Sequence, residues 1–401
     1  MSSEGSKMRT EEIRWDNLTK LLDQLFIHKR RLRSELAKDI RVRKSTMSYL
    51  IEELHNQGMI RTRRIASSGR GRPNEEISLN PDHGYVFGMK LGRESLKTIV
   101  YNFSLEPVDV KEYLIRHFSK QVNPVEQVLK ATQELFNSYK PSALGMAVSG
   151  CVDIENASVS FSPILGLSNY DLKPFLQSAG ASDAFLCNDV DALHVGEIIK
   201  TGILRESSLA ISFGVGVGAS FYDGEDILTG SDGRTSFEFG HFGADINGEP
   251  CYCGRRGCLE TLASEYVLVK DSAGSIKHFV QSFDRFFPEL QRIRQAAASG
   301  SSLERYGSII EYLSYHVGSL ILLLRPRRVL IGGEGVVSEW IFDSICERIA
   351  GSLSSTWGLS PSMKRVSDPE TWEKGSAFLA LRRYVRKKLR RTPRSRALRE
   401  T

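Results

Sequence analysis

The feature that most constrains this chain is a set of one histidine and three cysteines at the spacing H-x9-C-x-C-x4-C, formed by His241, Cys251, Cys253 and Cys258. A Cys3His set supplies the four ligands of a closed tetrahedral zinc site. The glycines around the cysteines allow the tight turns that such a loop needs. Because four protein ligands leave no position for water, the spacing predicts a structural Zn²⁺. Free thiols in a reducing cytosol are the alternative interpretation.

The composition is that of a globular protein with two or three domains. The 401 residues are 41% hydrophobic and 25% charged, which excludes a disordered, collagen-like or coiled-coil chain. Six cysteines are too few for a disulfide scaffold. The longest apolar run, Val317 to Leu324, is far shorter than the roughly 20 residues of a membrane span, and the polar N-terminus has no signal-peptide core. We therefore expect a cytoplasmic protein without membrane contact.

The charge is distributed unevenly along the chain. Residues 1–80 carry a net charge of +6, residues 382–401 carry +9, and residues 81–381 carry −9. Basic ends on an acidic body point to a polyanionic partner. The arginine-rich end beyond Arg382 either contacts DNA or is a solvated tail, and residues 391–401 are predicted to be disordered.

The first 60 residues carry a helix-turn-helix pattern. One apolar helix face, with the spacing i, i+3, i+4, i+7 and i+8, begins at Leu18, and a short helix follows Ser34. A third helix starts near Ser45 or Thr46 with Met47 on its buried side, and it ends at Gln57-Gly58. Two short helices with a tight turn before a longer one are typical of DNA-binding proteins.

The third helix and the segment after it supply the predicted DNA contacts. The two flanking extended stretches, 59–65 and 75–79, predict a wing with a basic tip at Arg70-Gly71-Arg72-Pro73, which suits a narrow minor groove. A winged helix that binds protein is the alternative. The candidate base and phosphate contacts are side chains at the N-terminal end of the third helix and at the wing tip: Arg43, Lys44, Ser45, Thr46, Ser48, Tyr49, Arg70 and Arg72.

From Gly84 onwards strands alternate with helices, so the body is predicted to be α/β with ligands at the ends of strands. The expected elements are a hairpin over 85–91 and 98–103, strands over 143–148, 184–187, 209–213, 218–222 and 328–331, and helices over 125–139, 191–200 and much of 262–324.

The string from Gly240 to Glu260 resembles the signature of the ROK family of repressors, open reading frames and sugar kinases. The resemblance extends over essentially the whole chain, through Gly150-Cys151-Val152-Asp153, 162–166, Cys187-Asn188-Asp189, the glycine turn 214–218 and 329–333. The N-terminal winged helix is similar to that of the family's repressors, such as those responding to xylose, glucose or N-acetylglucosamine. The resemblance implies two actin-like (ribonuclease H-like) lobes with a sugar cleft between them.

On this basis the expected domains are a winged helix-turn-helix at 1–80, a first lobe at 81–190 with a C-terminal helix 370–390 packed back on it, and a second lobe at 191–369 that carries the zinc motif and a dimerisation surface. The resemblance also implies the sugar contacts: Asn188, Asp189, Glu238, His241 and Glu260. Asp189 matches the general base of the family's kinases, and His241 is expected to hold zinc with one ring nitrogen and face the sugar with the other. Ile164 and Gly166-Leu167 depart from the family pattern, so the sugar specificity is expected to differ.

Two elements that bind ATP in ROK kinases are altered here. Lys90, Arg93 and Glu94 replace the aspartate, second glycine and threonine of the first phosphate turn, and Val215 replaces the threonine of the second. The side chain of Arg93 fills the space in which backbone N–H groups would hold a phosphate, and the carboxylate of Glu94 would repel the phosphate. We therefore expect no enzyme activity.

The sequence thus predicts a sugar-responsive transcriptional regulator, most simply a repressor of carbohydrate genes. It would act as a homodimer or tetramer on a palindromic operator in double-stranded DNA, with a sugar or sugar phosphate as effector and Zn²⁺ as its metal. The alternatives are a sugar kinase that retains a DNA-binding head and a repressor that no longer binds sugar.

Overall fold

A computed structural model describes residues 2–65, 74–115, 124–232, 234, 237–353, 357–368 and 370–391. The elements fall into three parts. We call the part from the first helix to β3 the head, β4 to β11 together with α14 the first lobe, and α7 to β15 the second lobe.

The head combines three helices with a three-stranded antiparallel sheet of order β1-β3-β2. Its elements are α1 (Ser2–His28), β1 (Arg30–Leu32), α2 (Arg33–Asp39), α3 (Lys44–Asn56), β2 (Ile60–Ile65) and β3 (Asn74–Leu79). The apolar residues of α3 were predicted from their spacing to face inward. The structure confirms this, since Met47, Leu50, Ile51 and Leu54 are all buried. The strand β1 was not predicted. The expected wing tip, with Arg70 and Arg72, lies outside the described residues.

The first lobe is built on a five-stranded sheet of order β11-β7-β4-β5-β6, in which β11, β7 and β4 are parallel and β5 and β6 are antiparallel additions. A small antiparallel sheet, β10-β9-β8, lies beyond it. The elements are β4 (Tyr85–Leu91), β5 (Ser95–Asn102), β6 (Pro107–Leu114), α4 (Pro124–Ala131), α5 (Gln133–Tyr139), β7 (Ala143–Val148), β8 (Cys151–Asp153), β9 (Ser158–Ser162), β10 (Leu167–Asp171), α6 (Lys173–Ser178) and β11 (Asp183–Asn188).

The second lobe has a four-stranded sheet of order β13-β12-β14-β15, covered by a mainly helical segment. Its largest hydrophobic cluster joins β12 and β14 to the helices from α8 to α13. The elements are α7 (Asp189–Thr201), β12 (Ser208–Phe213), β13 (Val217–Tyr222), α8 (Glu260–Ala263), α9 (Lys270–Ala273), α10 (Ile276–Gln281), α11 (Phe283–Ala298), α12 (Gly307–Leu324), β14 (Arg328–Gly332), α13 (Glu339–Ser352) and β15 (Ser362–Arg365).

The C-terminal helix α14 (Thr371–Arg391) lies directly on the first-lobe sheet and on α7. Two glycines permit this close approach. A Cβ at Gly88 would lie 1.9 Å from the carbonyl oxygen of Glu373, and one at Gly145 would lie 1.9 Å from that of Ser376. The segment after Arg391, where a basic tail was predicted, lies outside the described residues.

The head and the body share one hydrophobic cluster. Leu22 and Phe26 of α1 are buried together with Phe378 and Leu381 of α14, and the rings of Phe26 and Phe378 meet edge to face at 5.4 Å. Buried apolar area of this kind stabilises a fixed docking of the head on the body. The head is thus packed against the body in addition to being joined to it by the chain between β3 and β4.

Within the described residues one segment, Leu303–Leu324, is long and apolar enough to cross a membrane by length and composition. In the structure its inner side lies in the core of the second lobe, where Leu313, Val317 and Ile321 are buried. A core helix meets the same criterion, so this segment is weak evidence for a membrane span.

Candidate functional site

A cleft with a volume of about 610 Å³ separates the two lobes. Its floor is formed where β11 of the first lobe ends and the glycine turn between β12 and β13 begins. The carboxyl ends of parallel strands are the usual place for ligands in an α/β fold. The cleft brings together all five residues predicted to contact a sugar: Asn188, Asp189, Glu238, His241 and Glu260.

Asn188 has a structural role in addition to its place in the cleft. Its side-chain oxygen accepts from the backbone N–H of Val190 at 2.8 Å and so caps α7. Its Nδ2 donates to the carbonyl oxygen of Gly150 at 2.9 Å. These bonds tie the end of β11 to the turn at Gly150, which leaves the amide with part of its capacity for a ligand.

Asp189 is the first residue of α7 and faces the cleft. Burial raises the pKa of its carboxyl group, while Lys90 opposes that rise and Ser149 donates a hydrogen bond to it. A carboxylate with a free lone pair at this point can accept a hydroxyl proton. The role of general base that the family resemblance implies for Asp189 needs a phosphoryl donor as well.

Glu238 and Cys151 line the cleft and are bonded to each other. The Cys151 thiol donates to the Glu238 carboxylate, and burial raises the pKa of both groups. Cys151 belongs to the motif from Gly150 to Asp153, but its place in the cleft and its hydrogen bond to Glu238 were not predicted.

Glu260 is 5% exposed and begins the short helix α8. It accepts from the hydroxyl of Tyr252 and from the backbone N–H of Val217. Burial raises the pKa of Glu260 to about 7. Tyr252 was missed in the sequence, although its position between two predicted zinc ligands was a signal. Tyr252 places the loop that carries the predicted zinc ligands in direct contact with the cleft.

The side chains of His241, Cys251, Cys253 and Cys258 converge, with all four ligand atoms within 4.8 Å of one another. The Nδ1 of His241 lies 3.7 Å from the Sγ of Cys251, and the Sγ atoms of Cys253 and Cys258 are 3.6 Å apart. These two separations are close to the edges of a tetrahedron around Zn²⁺, which are about 3.8 Å for Zn–S bonds of about 2.3 Å. Without a cation, burial raises the pKa of the Cys258 thiol to about 11, and a divalent cation would reverse that shift.

The nitrogen that faces the cysteines is also the one that faces Glu260. Nδ1 of His241 lies 3.7 Å from Oε2 of Glu260. Nδ1 is therefore the candidate metal ligand. That Nε2 of His241 contacts a sugar stays a prediction.

The positions of the two phosphate turns are occupied by side chains. Nζ of Lys90 lies 3.5 Å from Oε1 of Glu334 and 3.6 Å from the ring centre of Trp372. Oε2 of Glu334 lies only 2.7 Å from the place where a Cβ on Gly214 would be. A carboxylate therefore lies against the second glycine turn, where a phosphate would need backbone N–H donors. Glu334 was not singled out from the sequence.

Arg93 spans the cleft from the first lobe to the second. Its Nη1 donates to the carbonyl oxygens of Ile164 at 2.6 Å and Val280 at 3.4 Å, and its Nε lies 3.5 Å from Asp284. Its guanidinium also lies 5.3 Å from the ring centre of Phe283. The predicted obstruction of the first phosphate turn thus takes the form of a bridge between the lobes.

The described part of the predicted DNA contacts lies at the start of α3. Arg43, Lys44 and Ser45 are exposed, whereas Ser48 and Tyr49 are half-buried. The Ser48 hydroxyl donates to the carbonyl oxygen of Lys44 at 2.9 Å and accepts from Arg33. The exposed residues are therefore better placed for a phosphate or base than Ser48.

The two sheets and the cleft between them define a two-lobed, actin-like α/β protein. Residues 86–370 match the ROK family, and the chain belongs to that family.

Relatives of this chain include a xylose repressor and a DNA-binding transcriptional regulator. The chain is 26% identical to the xylose repressor of Caldicellulosiruptor bescii over 318 residues, which are 75% of this chain and 79% of the relative. It is 24% identical to the dual transcriptional regulator NagC of Escherichia coli over 313 residues, 75% of this chain and 76% of NagC. A relative from Caldicellulosiruptor sp. (strain Rt8B.4) is 28% identical over 255 residues, 62% of this chain, and the chain spans 64% of its length.

Two solved structures show the likeness of fold. A ROK family transcriptional regulator, a homologue of the Escherichia coli MLC protein, superimposes with a TM-score of 0.70 at 20% identity, covering 93% of this chain and 99% of the other. A ROK family glucokinase from Streptomyces griseus, solved with glucose and AMPPNP, has a TM-score of 0.59 at 21% identity and covers 74% and 99%.

Proposed function

We propose that this chain is a sugar-responsive, DNA-binding transcriptional regulator, most simply a repressor of carbohydrate genes. The observation that carries the proposal is the combination, in one chain, of a polar cleft with a head that presents an exposed basic helix start. The xylose repressor and NagC, both matched over about three quarters of this chain, support it. We also propose a cytoplasmic location, since chromosomal DNA is the partner.

The head is proposed to be a winged helix-turn-helix that occupies residues 1–80. The turn between α2 and α3 and the strands β2 and β3 support this assignment. Arg43, Lys44 and Ser45 at the start of α3 would face the major groove, with Thr46, Ser48 and Tyr49 deeper in the helix. Arg70 and Arg72 are proposed for the minor groove.

The cleft is proposed to bind a sugar or sugar phosphate through Asn188, Asp189, Glu238, His241 and Glu260. Carboxylate and amide groups accept from and donate to adjacent hydroxyls, and a buried acceptor left unpaired is costly, so the site favours polyhydroxylated ligands. Zn²⁺ held by His241, Cys251, Cys253 and Cys258 would fix the loop that carries Tyr252. The metal would supply a rigid scaffold and no reactive water.

We propose that the chain does not transfer phosphoryl groups, although ROK kinases share its fold. The carboxylate of Glu334 beside Gly214 and the bridge made by Arg93 support this exclusion. The Glu334 carboxylate would repel a triphosphate, and the Arg93 side chain fills space that the triphosphate would need. The retained Asp189 is the observation that favours the kinase alternative.

We also propose a homodimer or tetramer formed through the second lobe. The outer side of the helix α12 carries exposed apolar side chains among polar ones, with Tyr315 68% and Leu323 74% exposed. A group of exposed apolar side chains on one helix face is typical of a surface that a partner covers. Replacing Tyr315 and Leu323 by glutamate should shift the mass measured by light scattering to that of the monomer, while an unchanged mass would refute this surface.

The test of the function is a thermal-shift screen against sugars and sugar phosphates, with ATP–Mg²⁺ in control wells. A ligand at a hundredfold excess over Kd stabilises the native state by about 2.7 kcal/mol, which is readily measured. We expect a shift with a sugar that Glu260→Gln abolishes and the surface variant Glu206→Gln retains. A shift with ATP–Mg²⁺ would favour the kinase, and no shift with any ligand would favour a repressor whose sugar site has been lost.

A further inference from the structure

One strand connects the cleft with the base of the head. β13 begins at Val217, whose backbone N–H donates to Glu260 in the cleft. It ends at Tyr222, and the turn that follows is held by Asp223, whose Oδ1 accepts from the backbone N–H groups of Glu225 and Asp226. Six residues of strand span about 20 Å. β13 therefore connects the cleft directly to this turn.

The turn is bonded to the C-terminal helix by Arg382 and, through a longer contact, by Arg386. Nη1 of Arg382 on α14 donates to the carbonyl oxygen of Glu225 at 3.0 Å and to Asp226 at 2.5 Å. Nη2 of the same guanidinium donates to Asp23 of the head at 3.1 Å. Arg386 adds a longer contact to Asp226 at 3.4 Å. Arg382 is thus bonded simultaneously to the second lobe and to the head.

The two ion pairs of Arg382 have unequal environments. The side chain of Asp23 is 9% exposed, whereas that of Asp226 is 55% exposed. Because solvent screens the partly buried Arg382–Asp23 pair only weakly, the geometry of this pair affects how α1 docks on the body. The Asp226 contact is weaker and can be released at lower cost.

The junction is also incompletely bonded and has room to move. Oδ1 of Asp23 and Nε of Arg382 are buried and have no hydrogen-bond partner among the described residues. A cavity of about 580 Å³ lies beside them, bounded by α1, the 223–226 turn and α14. A guanidinium with an unused donor beside an unused carboxylate oxygen can adopt a second arrangement in which Asp23 is bound through both oxygens.

We propose that Arg382 is a positioning residue that couples the cleft to the head through Asp226 and Asp23. When a ligand shifts β13, the contact to Asp226 changes and the guanidinium re-pairs with Asp23, which reorients α1 and with it the DNA-binding helix. The inference rests on the proposed function, because it concerns the transmission of the sugar signal.

The experiment measures DNA affinity by fluorescence anisotropy with and without a sugar. The DNA is a duplex selected in vitro by the wild-type protein, and the sugar is the one among D-xylose, D-glucose, N-acetyl-D-glucosamine and N-acetylglucosamine 6-phosphate that gives the largest thermal shift. The coupling is the ratio of the two Kd values. The variants are Asp226→Asn, Asp226→Glu and Arg382→Gln. The matched control is Arg383→Gln, which removes a neighbouring ion pair to Asp183 within the first lobe.

We expect Asp226→Asn to reduce the coupling ratio at least about threefold while both separate affinities, for DNA and for sugar, stay within about twofold of wild type. Asp226→Glu should restore the coupling and Arg383→Gln should keep it. Arg382→Gln leaves the buried Asp23 without its ion-pair partner and can therefore impair folding. The Asp226 variants should fold in any case, because the Asp226 side chain is 55% exposed. Wild-type coupling in Asp226→Asn would overturn the inference. A wild type whose DNA affinity ignores the sugar would contradict the proposed function itself.

Discussion

The ammonium of Lys90 in the first lobe lies 3.5 Å from the carboxylate of Glu334 in the second. Desolvation by the surrounding protein raises the pKa of Glu334, but Lys90 and its other neighbours lower the pKa below its ordinary value, so the half-exposed carboxylate stays charged. A charged carboxylate beside the Gly214 turn repels phosphate.

The first prediction is that ATP–Mg²⁺ does not bind. The melting temperature should be unchanged by ATP–Mg²⁺ with or without sugar, and no ADP should form in a coupled assay. A double variant, Lys90→Asp with Glu334→Ala, removes this pair and tests whether the Arg93 bridge is sufficient to exclude ATP–Mg²⁺. The variant should remain inactive because Arg93 still bridges the lobes, and ADP formation by the wild-type protein would refute the exclusion of a kinase.

Zinc removal is predicted to destabilise the second lobe. The purified protein should contain about one zinc per chain, and prolonged chelation should lower the melting temperature by at least about 5 °C, since bound metal contributes directly to folding. Cys258→Ser should have the same effect without chelator. The matched control is Cys346→Ser on α13, outside the cluster. A zinc content near zero in protein prepared without chelator would contradict the assignment.

A buried network under the cleft predicts a pH dependence of stability. Burial raises the pKa of Asp191 from 3.8 to about 7, although Ser220 donates to it at 2.6 Å. His194 bonds to Ser220 and Ser208, and burial lowers its pKa to about 3, so it stays neutral above that pH. Because the folded state holds the Asp191 proton more tightly than the unfolded state, stability should fall as the pH rises from about 4 to 7 and level off above.

The corresponding measurement is urea unfolding of the wild type and Asp191→Asn across this range. The asparagine keeps an oxygen to accept from Ser220 but cannot ionise. The free energy of unfolding of the variant should gain on the wild type between pH 4 and 7, by at most roughly 4 kcal/mol. Parallel pH profiles for the two proteins would show that Asp191 does not titrate as described.

The start of α3 is predicted to contribute phosphate contacts. Lys44→Ala should weaken binding to the selected duplex by about threefold to tenfold and should lower the slope of log K against log salt by about one. Lys130→Ala on α4, an exposed lysine far along the chain, serves as the control. Equal losses in both variants would mean that net charge alone is responsible.

Much of the fold could be predicted because its signals are local. The buried face of α3, the hairpin β4–β5 and the convergence of His241 with the three cysteines follow from residue spacing within short segments. The strand β1 and the sheet of β8, β9 and β10 were missed because strands of three to five residues carry too few alternations to detect. Predicted helix boundaries were wrong by a few residues where a capping side chain sets the start of the helix. Asn188 caps α7, so α7 begins at Asp189, two residues earlier than expected.

The chemistry of the cleft was predictable only in part. Asp189, Glu238 and Glu260 were expected there from motifs within single segments. The contact of Tyr252 with Glu260, the place of Glu334 beside Gly214 and the bridge made by Arg93 depend on how distant segments pack, and no spacing rule encodes them. The same holds for Arg382, which joins residues more than 150 positions away.

The most direct test of the account is a titration of the in vitro selected duplex with the zinc-loaded protein, in the presence and absence of the sugar found in the thermal-shift screen. The account predicts that the sugar weakens DNA binding, by a factor of about 5 or more for a coupling of at least 1 kcal/mol. It also predicts that Glu260→Gln binds the duplex as tightly as the wild type but does not respond to sugar. Identical DNA affinity of the wild-type protein at zero and saturating sugar would contradict it.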